Sequence, residues 1–175
     1  MRLPVLRLEG ARRGTAMRVG IGYDSHRFAA GRRLILGGVE IPFEQGLAGH
    51  SDADAVAHAV TDAILGAAAL GDIGTHFPPS DPQWRDADSI GLLREAVRLV
   101  EATNYQVVNV DVTVICEAPR IGPYIGAMRE RLAAAIGIGP SHVSVKGKTN
   151  EGMGWIGRRE GIAAMAVALV DTIDG

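Results

Sequence analysis

The apolar run from Gly161 to Val170 constrains the fold more than any other part of the chain. It could form a strand or a helix, and we interpret it as a strand because no polar residue interrupts it at helical spacing. Successive side chains of a strand point to opposite faces of the sheet. This strand would be apolar on both faces, so it predicts a sheet covered by helices on one face and by another subunit on the other.

Other strands are indicated by alternating polarity and by short apolar runs between glycines. Val108 to Val114 alternates apolar and polar residues, which is typical of a half-buried strand. Met17 to Tyr23 is expected to form the first strand and to end at a loop over residues 24–28. Two further segments complete the predicted strands: residues 34–41, a hairpin or bulged strand broken at Gly37-Gly38, and residues 143–148.

Three segments have apolar residues at the three- and four-residue spacing of a helix. The clearest is Ala53 to Leu70, which Ser51 or Asp52 can cap. The other two are expected to begin at Asp88 or Ser89 and near Pro123. Together, the elements predict an α+β fold, a mixed four- to five-stranded sheet with three helices on one face and the other face buried against another subunit.

Charge and cysteine content narrow the class of partner and the compartment. A formal net charge of −2 gives no reason to expect nucleic acid or an anionic membrane as a partner. No apolar stretch approaches the roughly 20 residues of a membrane-spanning helix. Cys116 is the only cysteine, which excludes an intramolecular disulfide and favours a cytoplasmic location. The length predicts a single domain over residues 17–175, preceded by a flexible extension over residues 1–16.

Asp24, His26 and His58 are the candidate metal ligands. Asp24 and His26 are two residues apart, so extended backbone would point both side chains to the same side. An Asp and two His with an open fourth position are typical of a catalytic zinc site, and Asp54 or Asp62 could orient the His58 ring. Spacing alone leaves open that these acidic residues are only solvated positions of a helix.

Two glycine-containing segments are candidates for phosphate binding. Residues 49–54 lead into the first helix, whose N-terminus favours an anion that His50 could contact, although helix capping explains the same residues equally well. Residues 146–151 combine cations, a hydroxyl and a carboxylate beside a Gly-rich turn, which suits a phosphate chain with a divalent ion bound by Glu151. A solvated hairpin is the alternative for this second segment.

These residues occur in motifs that extend over almost the whole chain, from about residue 17 to residue 170. In order, the motifs are Gly22-Tyr23-Asp24-Ser25-His26, Gly49-His50-Ser51-Asp52-Ala53-Asp54, His58-Ala59-Val60-Thr61-Asp62, Gly71-Asp72-Ile73-Gly74, Asn109-Val110-Asp111-Val112-Thr113, Lys148-Thr149-Asn150-Glu151 and Gly157-Arg158-Arg159-Glu160-Gly161. In this combination the sequence resembles the 2-C-methyl-D-erythritol 2,4-cyclodiphosphate synthases of the non-mevalonate isoprenoid pathway.

The resemblance implies a homotrimer with active sites between adjacent subunits. It implies that Asp24, His26 and His58 bind catalytic Zn²⁺ and that Glu151 binds a Mg²⁺ or Mn²⁺ ion bridging the two phosphates of the nucleotide. His50 and Thr149 would stabilise the transition state. The implied substrate-binding residues are Ser51, Asp72, Ile73, Gly74, Phe77, Asp81, Cys116, Pro119, Arg120, Ile121, Gly122, Lys148, Asn150, Trp155 and Arg158. Within this set, Cys116 is expected to act as a small apolar residue rather than a nucleophile.

The implied reaction converts 4-diphosphocytidyl-2-C-methyl-D-erythritol 2-phosphate to the cyclic 2,4-diphosphate with release of CMP. Two other functions fit the same residues. One is a metal-dependent phosphohydrolase, in which zinc activates water. The other is a trimer that binds an isoprenoid diphosphate, with Arg158 and Glu160 facing a central cavity. Pro79, Lys148 and Trp155 depart from the pattern expected of the family.

Overall fold

The computed structural model describes residues 17–173, so the expected extension over residues 1–16 lies outside the described part of the chain. The described part is an α+β fold with a mixed five-stranded sheet, as predicted. Its strands are β1 (Arg18–Ala29), β2 (Leu34–Leu36), β3 (Val39–Ile41), β4 (Gly46–Leu47), β5 (Tyr105–Ile115), β6 (Val143–Lys148) and β7 (Gly161–Thr172).

The main sheet has the strand order β4-β1-β7-β5-β6, while β2 and β3 form a separate hairpin. Strands β5 and β6 are parallel, and the other pairs of the sheet are antiparallel. Gly37 and Gly38 make the hairpin turn with φ angles of 57° and 73°, a region that favours glycine. The predicted hairpin and the predicted last strand are both confirmed.

Three long helices pack on one face of the sheet, again as predicted. The helices are α1 (Ala55–Ala67), α2 (Ile73–His76), α3 (Ser89–Glu101), α4 (Ile125–Ile136) and α5 (Gly154–Gly157), of which α2 and α5 are single turns. Short 3-10 turns occupy Pro82–Trp84, Gly122–Tyr124 and Pro140–His142. Within residues 17–173, no helix combines the length and the apolar character needed to cross a membrane.

Two predicted boundaries are wrong. The first strand does not end at Tyr23, because β1 continues through Asp24 and His26 while pairing with β7 along its length. The first helix is capped by Asp54 rather than by Ser51 or Asp52. The Asp54 carboxylate is fully buried and accepts from the first amides of α1 and from the amides of Gly37 and Gly38 at 2.8 and 2.6 Å. Ser51 and Asp52 instead accept from the Ala53 and Asp54 amides in the loop before the helix.

Helix α1 lies unusually close to β1, because the two strand residues beneath it are glycines. A Cβ atom on Gly22 would lie 1.9 Å from the Ala59 carbonyl oxygen, and one on Gly20 would lie 2.0 Å from the Ala63 carbonyl oxygen. Atoms cannot approach so closely, so any side chain at either position would push the helix away from the sheet. The two glycines therefore fix the height of α1 above β1.

We expect Gly22→Ala to lower the free energy of unfolding by about 3 kcal/mol, because α1 must move or the strand must distort. Gly66→Ala is the matched control, since Gly66 is exposed on the same helix and a Cβ there meets nothing closer than 3.9 Å. That substitution should raise stability by about 0.5–1 kcal/mol through helix propensity. Urea denaturation at equal protein concentrations measures both, and equal effects would contradict the close-packing explanation.

Candidate metal centre

Strand β1 and helix α1 bring Asp24, His26 and His58 together, as the sequence predicts. Asp24 Oδ2 lies 2.9 Å from His26 Nε2 and 3.0 Å from His58 Nδ1. The two ring nitrogens are 3.3 Å apart. These three atoms form a triangle, and among residues 17–173 it is the one cluster of this kind that could hold a metal ion.

The size and chemistry of the triangle fit Zn²⁺. A tetrahedral ion with ligands about 2.0–2.1 Å away holds its ligand atoms about 3.3 Å from one another. The observed edges of 2.9 to 3.3 Å are close to that value. One carboxylate and two imidazoles leave a fourth position for an exogenous oxygen, which is the arrangement of a catalytic rather than a structural zinc site.

Each histidine has an inner ring nitrogen that faces the cluster and an outer one that points away from it. Hydrogen bonds to the outer nitrogens leave the inner nitrogens free to bind a metal. His26 Nδ1 lies 2.7 Å from the Ala48 carbonyl oxygen, so it carries the proton and Nε2 has the lone pair. His58 Nε2 contacts the hydroxyls of Ser89 and Ser51 at 2.9 and 3.1 Å, while Nδ1 faces the cluster.

The prediction that Asp54 or Asp62 orients the His58 ring is wrong. The oxygens of Asp54 accept from the backbone of α1 and of the β2–β3 turn. Asp62 accepts from the Ile73 amide at 2.8 Å. Four-residue spacing does place these residues near His58 along the helix, but both carboxylates are already used by backbone N–H groups.

Opposite shifts in pKa follow from the proximity of the ligands. Burial alone would raise the pKa of Asp24, yet hydrogen bonds and the charges of His26 and His58 outweigh it and hold the pKa well below its usual range. Burial alone would lower the pKa of His26, but the hydrogen bond and charge of Asp24, with the Ala48 carbonyl, raise it. The cluster therefore favours a cation, and in the absence of a metal it favours a proton on His26.

A cavity of about 270 Å³ opens beside the metal ligands. His50 faces it, and its buried Nε2 has no hydrogen-bond partner in the described part of the chain. A buried ring nitrogen without a partner is costly, so it is suited to contact a ligand. The residues lining the cavity are His26, His50, Ser51, His58, Ile73, Gly74, Phe77, Pro79, Trp84 and Leu92, which include five of the predicted site residues besides the metal ligands: His50, Ser51, Ile73, Gly74 and Phe77.

Of the substrate-binding residues predicted between positions 51 and 81, Asp72 and Asp81 do not line this cavity. Asp72 caps α2, and hydrogen bonds from Thr75 lower its pKa below the usual range. Asp81 caps the 3-10 turn at residues 82–84. Both are engaged in local turns, and their role towards a substrate stays a prediction.

A second cavity, of about 470 Å³, is lined by six other predicted substrate-binding residues and by Thr149. Burial raises the pKa of the Cys116 thiol to about 11, which agrees with a small apolar role rather than a nucleophilic one. The cavity is lined by Cys116, Glu117, Pro119, Arg120, Ile121, Gly122, Pro123, Ile125, Gly147, Lys148 and Thr149. None of these residues lines the cavity beside the metal ligands.

The remaining predicted residues lie near the C-terminal end of β6 and around α5. Glu151 contacts the Thr149 hydroxyl at 3.0 Å and does not belong to the cluster of metal ligands. The backbone amide of Asn150 donates to the Glu117 carboxylate at 2.8 Å. Trp155 lines a shallow pocket with His26, and Arg158 forms an exposed ion pair with Glu160 at 2.6 Å.

Sequence reasoning missed Ser89, Trp84 and Leu92 as residues near the site. Trp84 and Leu92 line the cavity beside the metal ligands, and Ser89 contacts His58. No spacing rule links residue 89 to residue 58, because their contact depends on how α3 packs against α1.

Comparison with known proteins gives a consistent result over nearly the whole chain. The model of the YgbB family matches residues 17–171. The chain is 60% identical over 154 residues to a 2-C-methyl-D-erythritol 2,4-cyclodiphosphate synthase from Symbiobacterium thermophilum, which covers 88% of this chain and 98% of that protein.

Solved structures of similar proteins share the fold. The bifunctional IspDF from Campylobacter jejuni superposes with a TM-score of 0.88 and 36% identity, covering 91% of this chain and 43% of that one. A 2C-methyl-D-erythritol-2,4-cyclodiphosphate synthase in its CDP-bound form superposes with a TM-score of 0.81 and 40% identity, covering 88% of this chain and 100% of that one.

Zinc affinity is expected to fall as the pH is lowered, because zinc must displace the proton that the Asp24 carboxylate favours on His26. Each displaced proton lowers the affinity by about tenfold per pH unit below the raised pKa of His26. Asp24 stays ionised because its pKa is depressed, so its carboxylate does not take up a proton in competition with zinc in this pH range. Competition with a chromophoric chelator measures the dissociation constant, and a constant that does not change from about pH 8 to 5 would contradict the expectation.

Proposed function

Since the chain belongs to the YgbB family of 2-C-methyl-D-erythritol 2,4-cyclodiphosphate synthases, we propose that it cyclises 4-diphosphocytidyl-2-C-methyl-D-erythritol 2-phosphate with metal assistance and releases CMP. The observation that carries the mechanism is the convergence of Asp24, His26 and His58 at a cavity that His50 also lines. Such a site combines a cation, an open coordination position and a group able to contact phosphate.

The reaction is an intramolecular phosphoryl transfer. An oxygen of the 2-phosphate forms a bond to the β-phosphorus, the bond from that phosphorus to the oxygen shared with the α-phosphorus breaks, and its electron pair leaves with CMP. A phosphate nucleophile is already ionised and needs no base. The obstacle is the alignment of two anions, so positioning and charge neutralisation supply most of the acceleration.

Asp24, His26 and His58 would hold Zn²⁺, which supplies Lewis acidity and orients a phosphoryl oxygen when it is bound. Glu151 would contribute a hard oxygen ligand to Mg²⁺ or Mn²⁺ beside the nucleotide. His50 would place its buried Nε2, which has no partner in the described part of the chain, against a phosphate oxygen. Thr149 would offer its hydroxyl at the other cavity, where it already contacts Glu151.

The cavity around Cys116 would bind the cytidine diphosphate portion. Its lining combines an apolar wall at Ile121 with the cations of Arg120 and Lys148 and with the backbone beside Gly122. This composition suits a pyrimidine ring attached to a charged diphosphate. The CDP-bound form of a similar synthase supports the assignment of a cytidine nucleotide as the ligand class.

A homotrimer would bring the two cavities together across a subunit boundary. The sheet face opposite the helices is apolar and exposed in the single chain, with Val19 and Ile21 each 66% exposed. In the pairing of β1 with β7, Ile21 lies opposite Val167 and Tyr23 lies opposite Met165, so these side chains form one patch. A patch of this kind on a central sheet is typical of an interface between subunits.

Two further features of the proposal concern a second ligand and the cellular compartment. Arg158 and Glu160 would face the central cavity of the trimer, where an isoprenoid diphosphate would bind. The cytoplasm is the proposed compartment, since the single cysteine needs no oxidising environment.

A hydrolase that uses the same metal ligands would release open-chain phosphates, whereas a protein that only binds an isoprenoid diphosphate would release no product.

Replacing a metal ligand separates these functions. His58→Ala should abolish stoichiometric zinc binding and lower the rate of CMP release by at least about 100-fold, because the remaining two ligands hold the ion weakly. His142→Ala is the matched control, since His142 is exposed on the turn before β6. Metal analysis and phosphorus NMR of the products provide the measurements. Zinc content and cyclisation that both survive in His58→Ala would refute the mechanism, and open-chain monoesters from the wild-type protein would favour the hydrolase.

The oligomeric state tests the apolar patch. Ile21→Glu should convert a trimer into a monomer of 18.4 kDa, because a charge at the centre of a subunit interface loses its hydration. Met153→Glu provides the control, as Met153 is 64% exposed outside the sheet. Light scattering after size-exclusion chromatography measures the mass. A wild-type monomer, or a trimer that tolerates Ile21→Glu, would contradict the proposed interface.

A further inference from the structure

The outer nitrogen of His58 contacts a partly buried chain of polar groups that lies outside the metal cluster. His58 Nε2 is 2.9 Å from Ser89 Oγ, and Ser89 Oγ in turn contacts Asp52 Oδ1. Ser89 is fully buried at the first position of α3. The chain therefore connects a candidate metal ligand on α1 to a carboxylate in the loop before that helix.

The direction of each hydrogen bond follows from the number of available protons. A carboxylate can only accept, so the hydroxyl proton of Ser89 is donated to Asp52. Ser89 Oγ then presents lone pairs to His58, and His58 Nε2 must carry the proton that it donates. The neutral ring consequently has its lone pair on Nδ1, which is the nitrogen that faces Asp24 and His26.

Backbone contacts hold Asp52 in the orientation that this chain needs. Asp52 Oδ2 accepts from the Ser89 amide at 3.1 Å, and Oδ1 accepts from the Asp54 amide at 3.2 Å. The Asp52 amide donates to the Ala87 carbonyl at 3.1 Å. The carboxylate is thus fixed against the start of α3, and it contacts both the hydroxyl and the amide of the same serine.

Ser51 is a weaker candidate for the same role. Its hydroxyl lies 3.1 Å from His58 Nε2, but it also accepts from the Ala53 amide at 3.1 Å. In addition, it lies 3.3 Å from Ser89 Oγ. Within residues 17–173 no carboxylate contacts Ser51 directly, so the direction of its proton is not determined as that of Ser89 is.

We propose that Ser89 and Asp52 are positioning residues for the metal centre, which fix the orientation and tautomer of His58 so that Nδ1 is available to the ion. The proposal rests on the metal site proposed above. A carboxylate that acts through a hydroxyl also makes the imidazole a stronger electron donor, as direct carboxylate–histidine contacts do in metal sites. Loss of such outer contacts weakens metal binding by about 10- to 100-fold.

The test compares zinc affinity in purified variants that have been stripped of metal. Ser89→Ala removes the hydroxyl and should raise the zinc dissociation constant by about 10- to 100-fold. Asp52→Asn keeps the shape of the side chain but removes its charge and one acceptor, so the zinc affinity of this variant should also fall. Ser89→Thr retains the hydroxyl and should restore affinity close to that of the wild-type protein. The ligand-field absorption of the Co²⁺-substituted protein reports on the same ring orientation, and it should change in Ser89→Ala and return in Ser89→Thr.

Asp88→Ala distinguishes positioning from a general loosening of α3. Asp88 caps α3 by accepting from the Ile90 amide at 3.1 Å, and it has no hydrogen bond to His58 or Asp52 among the described residues. The zinc affinity of the Asp88→Ala variant should remain close to the wild-type value. The inference is overturned if Ser89→Ala binds zinc as tightly as the wild-type protein, or if Asp88→Ala loses as much affinity. A wild-type protein that binds no zinc would refute the proposed metal site and this inference with it.

Discussion

The close contact between α1 and β1 is the constraint on which the site depends. Two residues along a strand advance about 6.8 Å and four residues along a helix advance about 6 Å, so the two elements can stay in step over a short distance. Gly22 faces Ala59 and Gly20 faces Ala63 in this way. The next residues of β1 on the same face are Asp24 and His26, and they meet α1 at the turn that carries His58. Small residues beneath the helix thus set the distance between ligands on different elements.

The resulting centre is prepared for a cation before any ion binds. Each histidine uses its outer nitrogen for a neutral acceptor, a backbone carbonyl for His26 and a serine hydroxyl for His58. Both inner nitrogens then converge on the one carboxylate oxygen of Asp24, whose pKa is depressed accordingly. Because the outer contacts belong to two different segments, the loop at residue 48 and the start of α3, the centre depends on the tertiary fold as a whole.

Features that repeat along the chain could be predicted from the sequence, whereas those that depend on competing contacts could not. The two-residue spacing of Asp24 and His26 predicts the shared face correctly, although the strand expected to end at Tyr23 continues to Ala29. The cap of α1 was misassigned, because local sequence cannot show that Asp54 also binds the β2–β3 turn. Likewise, a bulge between Val107 and Asn109 buries Val107 and leaves Val108 only partly covered, which interrupts the alternation expected for β5. Ser89 was missed because its contact with His58 arises from helix packing.

The double use of Asp54 also affects how the protein can open. The amides of Gly37 and Gly38 and the first amides of α1 share one carboxylate, although the two segments are about 17 residues apart. The hairpin cannot separate from the body of the protein without leaving the Gly37 and Gly38 amides unpaired and removing two donors from the buried Asp54 carboxylate, and the helix cannot fray without releasing the hairpin. The two segments should therefore unfold as one cooperative unit. That unit includes the residues leading into His58, so local opening near the metal centre is suppressed by a turn that never touches it.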